Sequence, residues 1–140
     1  MLVATGEATE YASAQDALDA VDRLESEVDL RLRALAEASP GAKAFALSAL
    51  ADHERDRRAR ARLRRRLALP PSSSARPFAS GLTSLEALRA AQEALVHAHA
   101  EGLPALRDPF SVEVMAGHMV ELSRQLTVID LWIESEASRG

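Results

Sequence analysis

The segment from residue 47 to residue 61 constrains the fold most, because its side chains repeat at intervals of three and four. An α-helix turns by about 100° per residue, so residues at this spacing share one face. The row consists of Leu47, Leu50, Glu54, Arg57 and Ala61. This spacing predicts a helix that packs through that face, with Glu54 and Arg57 at its middle.

Three other segments show helical periodicity, so the chain should contain four helices. Proline and glycine at 39–41 and 102–104 predict short turns within two helical hairpins. The segment 69–82 is rich in proline and serine and lacks apolar rhythm, which is typical of an extended connection. We therefore expect an all-α, up-down-up-down antiparallel four-helix bundle. It comprises a loose lead-in at 1–12 and one domain at 13–138, with hairpins at 13–68 and 83–138 and the crossover at 69–82.

Composition agrees with this class and excludes several others. The chain has 140 residues, 47% of them hydrophobic but only 4% aromatic, which favours helices over strands. It has no cysteine, which excludes disulfides and thiolate chemistry. No apolar run approaches the roughly 20 residues of a membrane span, and the first residues do not resemble a signal peptide. We expect a cytoplasmic protein that does not bind membranes.

Glu54 has two interpretations, because a charge that faces a bundle core is costly unless it is paired or bound to metal. It could form an i,i+3 ion pair with Arg57 on a half-exposed face. It could instead belong to a metal site at the bundle centre. The adjacent arginine repels a cation and therefore favours the ion pair.

Other polar residues should lie near the middle of the bundle or face its core. Counted from the predicted turns, Glu25 or Glu27 lies level with Glu54, and Gln92 lies level with His118. His99 faces the core near the end of the third helix. We expect Arg57, Gln92 and His99 to be core polar residues, and His118 to be a neutral histidine bonded to Gln92 if it holds no metal.

Two hairpins around a proline-rich crossover, with Leu47-x-x-Leu50-x-x-x-Glu54 in the second helix, resemble the ferritin-like di-iron carboxylate superfamily. That family uses a glutamate from each of two helices and Glu-x-x-His from each of the other two. Here Glu54-x-x-Arg57 lacks the histidine, Met115-x-x-His118 lacks the glutamate, and Gln92 occupies a carboxylate position. The resemblance implies a degenerate member that keeps the scaffold but not the dinuclear centre.

Two functions follow from this resemblance. The first is a non-enzymatic binding or scaffold module without a complete di-iron site and without a cofactor. The second is a metalloprotein that holds a single iron, manganese or zinc ion. Its ligands would be Glu25, Glu54 and His118, helped by Glu121.

The arginine-rich second helix suggests a third function, binding of an acidic protein or of nucleic acid through a basic patch. The patch comprises Arg58, Arg62, Arg65 and Arg66. Antiparallel packing would also bring Asp16, Asp19 and Asp22 beside this end of the helix, so internal ion pairing is the simpler expectation. Nucleic acid is disfavoured, because the net charge is −4 and the arginines encircle the helix.

A second apolar strip on the fourth helix could mark a subunit interface. It comprises Val120, Val128 and Leu131, nearly opposite the face that should enter the core. A homodimer through this helix would cover the strip. Singly exposed apolar residues are the alternative.

Overall fold

The computed structural model describes residues 11–72 and 84–139. The predicted lead-in and most of the predicted crossover lie outside these ranges. The described part contains four α-helices and no strand. They are α1 (Ala14–Ala38), α2 (Lys43–Arg66), α3 (Leu85–Leu106) and α4 (Pro109–Arg139), with a short 3₁₀ turn at Pro40–Ala42 between α1 and α2. The all-helical class and the four-helix count are as predicted.

Local signals explain where three of the helices begin. The Ser13 hydroxyl accepts a hydrogen bond from the Asp16 N–H at 3.1 Å, and the Ser84 hydroxyl accepts one from Ala87 at 3.0 Å. Both serines satisfy N–H groups that have no partner within the first helical turn. Pro109 stands at the first position of α4, where its missing N–H costs nothing.

The predicted end of α3 near residue 101 is wrong, because the helix continues through Pro104 to Leu106. Arg107 then terminates it in the left-handed region, with φ at 56°. Gly102 is a packing residue here, since a Cβ atom added to it would lie 3.0 Å from Cβ of Ala17. The glycine lets α3 approach α1 closely, and the stop comes one turn later.

The helix directions follow from cross-helix contacts. Asp22 contacts Arg60, so α1 and α2 are antiparallel. Contacts from α4 to α2 and to α3 also run antiparallel, as in the pairs His53–Gln125, Arg66–Asp108, Gln92–Leu122 and Arg89–Asp130. Consequently α1 and α4 point one way while α2 and α3 point the other, and the predicted up-down-up-down order is wrong.

The length of the connection between α2 and α3 explains how the chain can adopt this order of helix directions. Residues 67–84 separate α2 from α3, and at roughly 3.3 Å per residue they can reach about 60 Å. A helix as long as α3 measures about 33 Å at 1.5 Å per residue. The connection is therefore long enough to return along the whole bundle, and no tight turn forces α3 to reverse direction.

The apolar core lies among all four helices, with α1 packed on α2 and α3, and α4 packed on α3. Among its fully buried members are Leu18, Val28, Leu32, Leu88, Leu95, Leu122 and Ile129. The interface between α2 and α4 is looser than the others. None of the helices in the described ranges has the length and apolar character needed to cross a membrane.

The predicted buried face of α2 is wrong by one residue. Leu47 is 50% exposed, whereas its neighbour Ala46 is completely buried. The buried face consists of Ala46, Ala49, His53, Asp56, Arg60, Leu63 and Arg64. Polar side chains enter this face because acidic residues of α1 meet them there, which local apolar spacing does not reveal.

Candidate functional site

Four acidic residues of α1 face four basic residues of α2 along most of their shared interface. We call this arrangement the ion-pair ladder. Its members are Asp19, Asp22, Glu25 and Asp29 on α1, and His53, Arg57, Arg60 and Arg64 on α2. The intervals of three and four in both rows keep each set on one helical face, and antiparallel packing brings the two sets into register.

Arg60 is the centre of the ladder and is only 1% exposed. Its Nε donates to Oδ1 of Asp22 at 2.7 Å, while Nη1 and Nη2 donate to the two carboxylate oxygens of Glu25. Burial alone would lower the pKa of Arg60, but the two carboxylates outweigh it and raise that pKa. The guanidinium is therefore a permanent buried cation.

The same contacts act on the two carboxylates differently. Burial alone would raise the pKa of Asp22, but the charges and hydrogen bonds of Arg60 and Arg64 lower it overall. Burial raises the pKa of Glu25 above its ordinary value, although Arg60 opposes the shift. Glu25 is thus the ladder member for which desolvation is least compensated.

The other two arginines of the ladder, Arg57 and Arg64, also bind several carboxylates each. Arg64 lies 2.8 Å from Asp19 and also donates to Asp22. Arg57 donates to Asp29 and, at 2.6 Å, to Glu54. The predicted i,i+3 pair of Glu54 and Arg57 is confirmed.

His53 connects the ladder to α3 and α4. Its Nδ1 lies 2.7 Å from Oδ1 of Asp29, and its Nε2 lies 2.8 Å from Oε1 of Gln125. Gln92 donates to that same Oε1 while Gln125 donates to Asp52, so the amide oxygen of Gln125 faces the ring. Both ring nitrogens therefore face acceptors, which favours the doubly protonated ring.

The charge state of His53 agrees with its surroundings. Burial alone would lower the pKa of His53, but the hydrogen bond to Asp29 and the charges of Glu25 and Asp29 raise it. The ring is fully buried. It is a buried imidazolium paired with a carboxylate, a role that the sequence did not predict.

A second polar cluster lies between α2 and α4. Nε2 of His118 lies 3.3 Å from Oδ1 of Asp56, and Asp56 also contacts Glu121. Burial, together with the hydrogen bond and the charge of Glu121, raises the pKa of Asp56 to about 8. At neutral pH the Asp56 side chain therefore keeps its proton as a carboxylic acid.

The neighbouring histidines are neutral. Burial, together with the charge of Arg60, lowers the pKa of His118 and of His99 to about 4. The two rings meet edge to face with centroids 6.5 Å apart. His99 Nδ1 donates to the Leu95 carbonyl at 2.9 Å.

The four residues predicted as metal ligands do not come together. The Glu54 side chain is 54% exposed and pairs with Arg57, while Glu25 is buried against Arg60. His118 contacts Asp56, and Glu121 reaches Arg55 at 3.3 Å. Within residues 11–72 and 84–139, no group of three or more histidine, aspartate or glutamate side chains has an arrangement that could hold a metal ion.

Two of the three predicted core polar residues are buried as expected. Gln92 and His99 are almost completely inaccessible, whereas the Arg57 side chain is 40% exposed. The predicted hydrogen bond between His118 and Gln92 is wrong. Gln92 donates to the Leu122 carbonyl and to Gln125 instead.

The arginines of the predicted basic patch all lie on the exposed side of α2. Arg66 pairs with Asp108 at 2.9 Å, and its guanidinium carbon lies 4.7 Å from the Phe110 ring centroid. Arg58, Arg62 and Arg65 make no ion pair with any residue that the structure describes. The arginine run is thus divided into an inward set, which is neutralised by α1, and an outward set.

The predicted subunit interface on α4 is not tested by a single chain. Val120 and Leu131 are exposed, and Val128 is partly buried. The homodimer stays a prediction.

The sequence interpretation missed Asp29, His53, Asp56 and Gln125. For Asp29 and His53, a usable signal was present: acidic residues spaced by three and four on α1, facing a basic row spaced by three and four on α2. For Asp56 and Gln125, no local pattern identified the buried polar group.

Comparison with known proteins gives no relative. No protein-family model matches the chain, and no curated protein or solved structure shows significant similarity to it.

Proposed function

We propose that this chain is a non-enzymatic binding or scaffold module of ferritin-like architecture, in which buried arginines occupy the place of metal ions. The observation that carries the proposal is Arg60, which is 1% exposed and bonded to both Asp22 and Glu25. A ferritin-like bundle uses core carboxylates to neutralise metal cations. Here the carboxylates of α1 neutralise guanidinium groups.

Electrostatics supports this interpretation. A divalent ion placed beside Glu25 would lie near the permanent positive charges of Arg60 and Arg57. Repulsion between cations in a poorly screened interior is strong. To bind the ion, Glu25 would have to give up its arginine partners and leave them buried and unpaired, which is costly.

The order of the helices also supports the proposed ferritin-like architecture. Four helices with a single long connection between the second and third are the arrangement used by ferritin-like folds. The directions of α1 to α4 are compatible with that arrangement. The scaffold role is supported by the paired interior, in which the buried arginines and carboxylates of the ladder are bonded to one another.

Metal content provides the test. Untagged protein is incubated separately with Fe²⁺ under anaerobic conditions, Mn²⁺ and Zn²⁺, then desalted and analysed for bound metal and thermal stability. We expect less than one-tenth of an equivalent, on the order of surface binding, and no change in Tm. Glu54→Ala is the exposed control, and His118→Ala tests the second polar cluster.

Stoichiometric metal that is lost in His118→Ala would overturn the proposal in favour of a mononuclear site. Metal that is lost in both Glu54→Ala and His118→Ala would support the mononuclear site predicted from the sequence. Iron that supports oxygen consumption would contradict the non-enzymatic role directly.

A further inference from the structure

A cleft of about 490 Å³ opens beside the ion-pair ladder, between α1, α2 and the segment that follows α2. It is lined by Asp22, Ser26, Arg57, Arg60, Ala61, Arg64, Arg65, Leu69, Pro71 and Ser72. This volume falls within the range of about 300–1,000 Å³ that is typical of small-molecule sites. The cleft is separate from the polar cluster around His118.

Most of the arginines that line the cleft are already paired with carboxylates, and one is not. Arg57, Arg60 and Arg64 already bind carboxylates of α1. Arg64 also donates to the Pro70 carbonyl at 3.3 Å, which ties the following segment to the cleft wall. Among the lining residues, Arg65 is the one cation without an ion pair in the described part of the chain.

The remainder of the wall is more apolar than polar. Ala61, Leu69 and Pro71 contribute side chains without hydrogen-bonding groups. Arg57 directs its guanidinium group at α1 and is 40% exposed, so its aliphatic portion can contribute to the wall. The cleft thus combines an apolar surface with one unneutralised positive charge at its edge.

We propose that this cleft binds a small amphiphilic monoanion, with its acid group on Arg65 and its apolar part against Ala61, Leu69 and Pro71. The inference rests on the proposed role as a binding module and names its ligand class. A single unpaired guanidinium suits a carboxylate or sulfonate, whereas a polyphosphate would require several. The neighbouring arginines cannot supply these without giving up buried carboxylates.

Arg58 and Arg62 do not change this choice of ligand. Both are exposed, but neither lines the cleft. They would attract any anion at long range, and salt would screen that attraction. Of these three arginines, Arg65 is the one that lines the cleft, so Arg62 provides a matched control on the same helix.

The test uses decanoate as the probe and decanol as its uncharged equivalent, both below their self-association limits. Calorimetric titration is performed on the full chain and on Arg65→Gln, Arg62→Gln and Ala61→Trp. Loss of one charge-assisted hydrogen bond should weaken decanoate binding about 10- to 100-fold in Arg65→Gln. Arg62→Gln should bind as the parent does, and Ala61→Trp, which fills the cleft, should not bind.

Decanol should bind the parent chain as weakly as decanoate binds Arg65→Gln. Equal decanoate affinity in the parent and Arg65→Gln, or binding that survives Ala61→Trp, would overturn the proposal. Failure to bind decanoate at all would also overturn it, while leaving the metal measurements unaffected. Because Ala61 and Arg65 are both exposed, circular dichroism should confirm that the variants remain folded.

Discussion

Arg60 and Glu25 face each other at the centre of the bundle, and each is only 1% exposed. Two hydrogen bonds join the guanidinium of Arg60 to both oxygens of Glu25. This geometry orients both groups and places a guanidinium N–H on each carboxylate oxygen, and Arg57 approaches Oε1 of Glu25 as a second cation at 3.2 Å. A buried pair of this kind adds little net stability but makes the loss of one partner costly, because the other charge stays buried.

Removing Arg60 should therefore destabilise the chain strongly. We expect Arg60→Met to lower the free energy of unfolding by about 3–5 kcal/mol, since Glu25 loses its principal partner. Urea denaturation measures the effect. Arg62→Met, on the exposed side of the same helix, should change it by less than about 0.5 kcal/mol.

The double variant Arg60→Met with Glu25→Leu should recover much of that loss, because both charges leave the interior together. Equal stabilities of Arg60→Met and Arg62→Met would show that the buried pair does not form in solution.

Asp56 should make stability fall as the pH rises above neutrality. Its pKa is about 8 in the folded chain and 3.8 in the ordinary state. Between these values the folded state holds a proton that the unfolded state has released, so unfolding becomes easier as pH increases. Between pH 6.5 and pH 8, Asp56 should lower the free energy of unfolding by up to about 2 kcal/mol.

Asp56→Asn should flatten this decline, as measured by urea denaturation at both pH values. His99 and His118 do not interfere, because their pKa values of about 4 confine their effect to pH below 6.5. A pH dependence that is identical in the parent and the asparagine variant would refute the raised pKa of Asp56.

The pKa values of the two buried histidines His53 and His99 should be shifted in opposite directions from the ordinary value. Hydrogen bonding to Asp29 raises the pKa of His53 above 6.5 against the effect of burial, whereas burial lowers that of His99 to about 4. Proton NMR of the ring resonances, assigned with His→Gln variants, should show His53 protonated at pH 6.5 and His99 neutral at pH 5. A pKa of His53 below that of His99 would contradict the hydrogen bonds assigned to His53.

The position of the buried face on α2 can be tested with two neighbours. Ala46 is completely buried, so Ala46→Leu should overpack the interface and cost about 1–3 kcal/mol. Leu47 is half exposed, so Leu47→Ala should cost less than about 1 kcal/mol. The opposite ranking in thermal or urea denaturation would restore the face that the leucine spacing predicts.

Two helical glycines should respond differently to alanine. A Cβ atom at Gly117 would meet nothing within 4 Å, so Gly117→Ala should stabilise the chain by about 0.5–1 kcal/mol through helix propensity. At Gly102 the same atom would lie 3.0 Å from Ala17, so Gly102→Ala should gain less or lose stability. Equal gains in Tm would indicate that α1 and α3 are farther apart.

The sequence by itself determined the helical class, the number of helices and most of their boundaries. These features depend on local causes, namely periodicity, serine caps and proline breaks, which act within a few residues. It also correctly identified Gln92 and His99 as buried, because the apolar residues around them fix one face of α3. The Glu54–Arg57 pair was predictable for the same reason, since both partners lie on one helix.

Only the tertiary structure decided which face of α2 is buried and which way α3 runs. Leu47 is a larger apolar side chain than Ala46, but the residues of α1 that face α2 are acidic. Their pairing with Arg60 and Arg64 shifts the buried face of α2 by one residue, so that Ala46 is buried in place of Leu47. Similarly, His53 and Asp29 are 24 positions apart and become partners only after the helices pack. Pairing energies between distant residues depend on register and direction, and no local pattern encodes either.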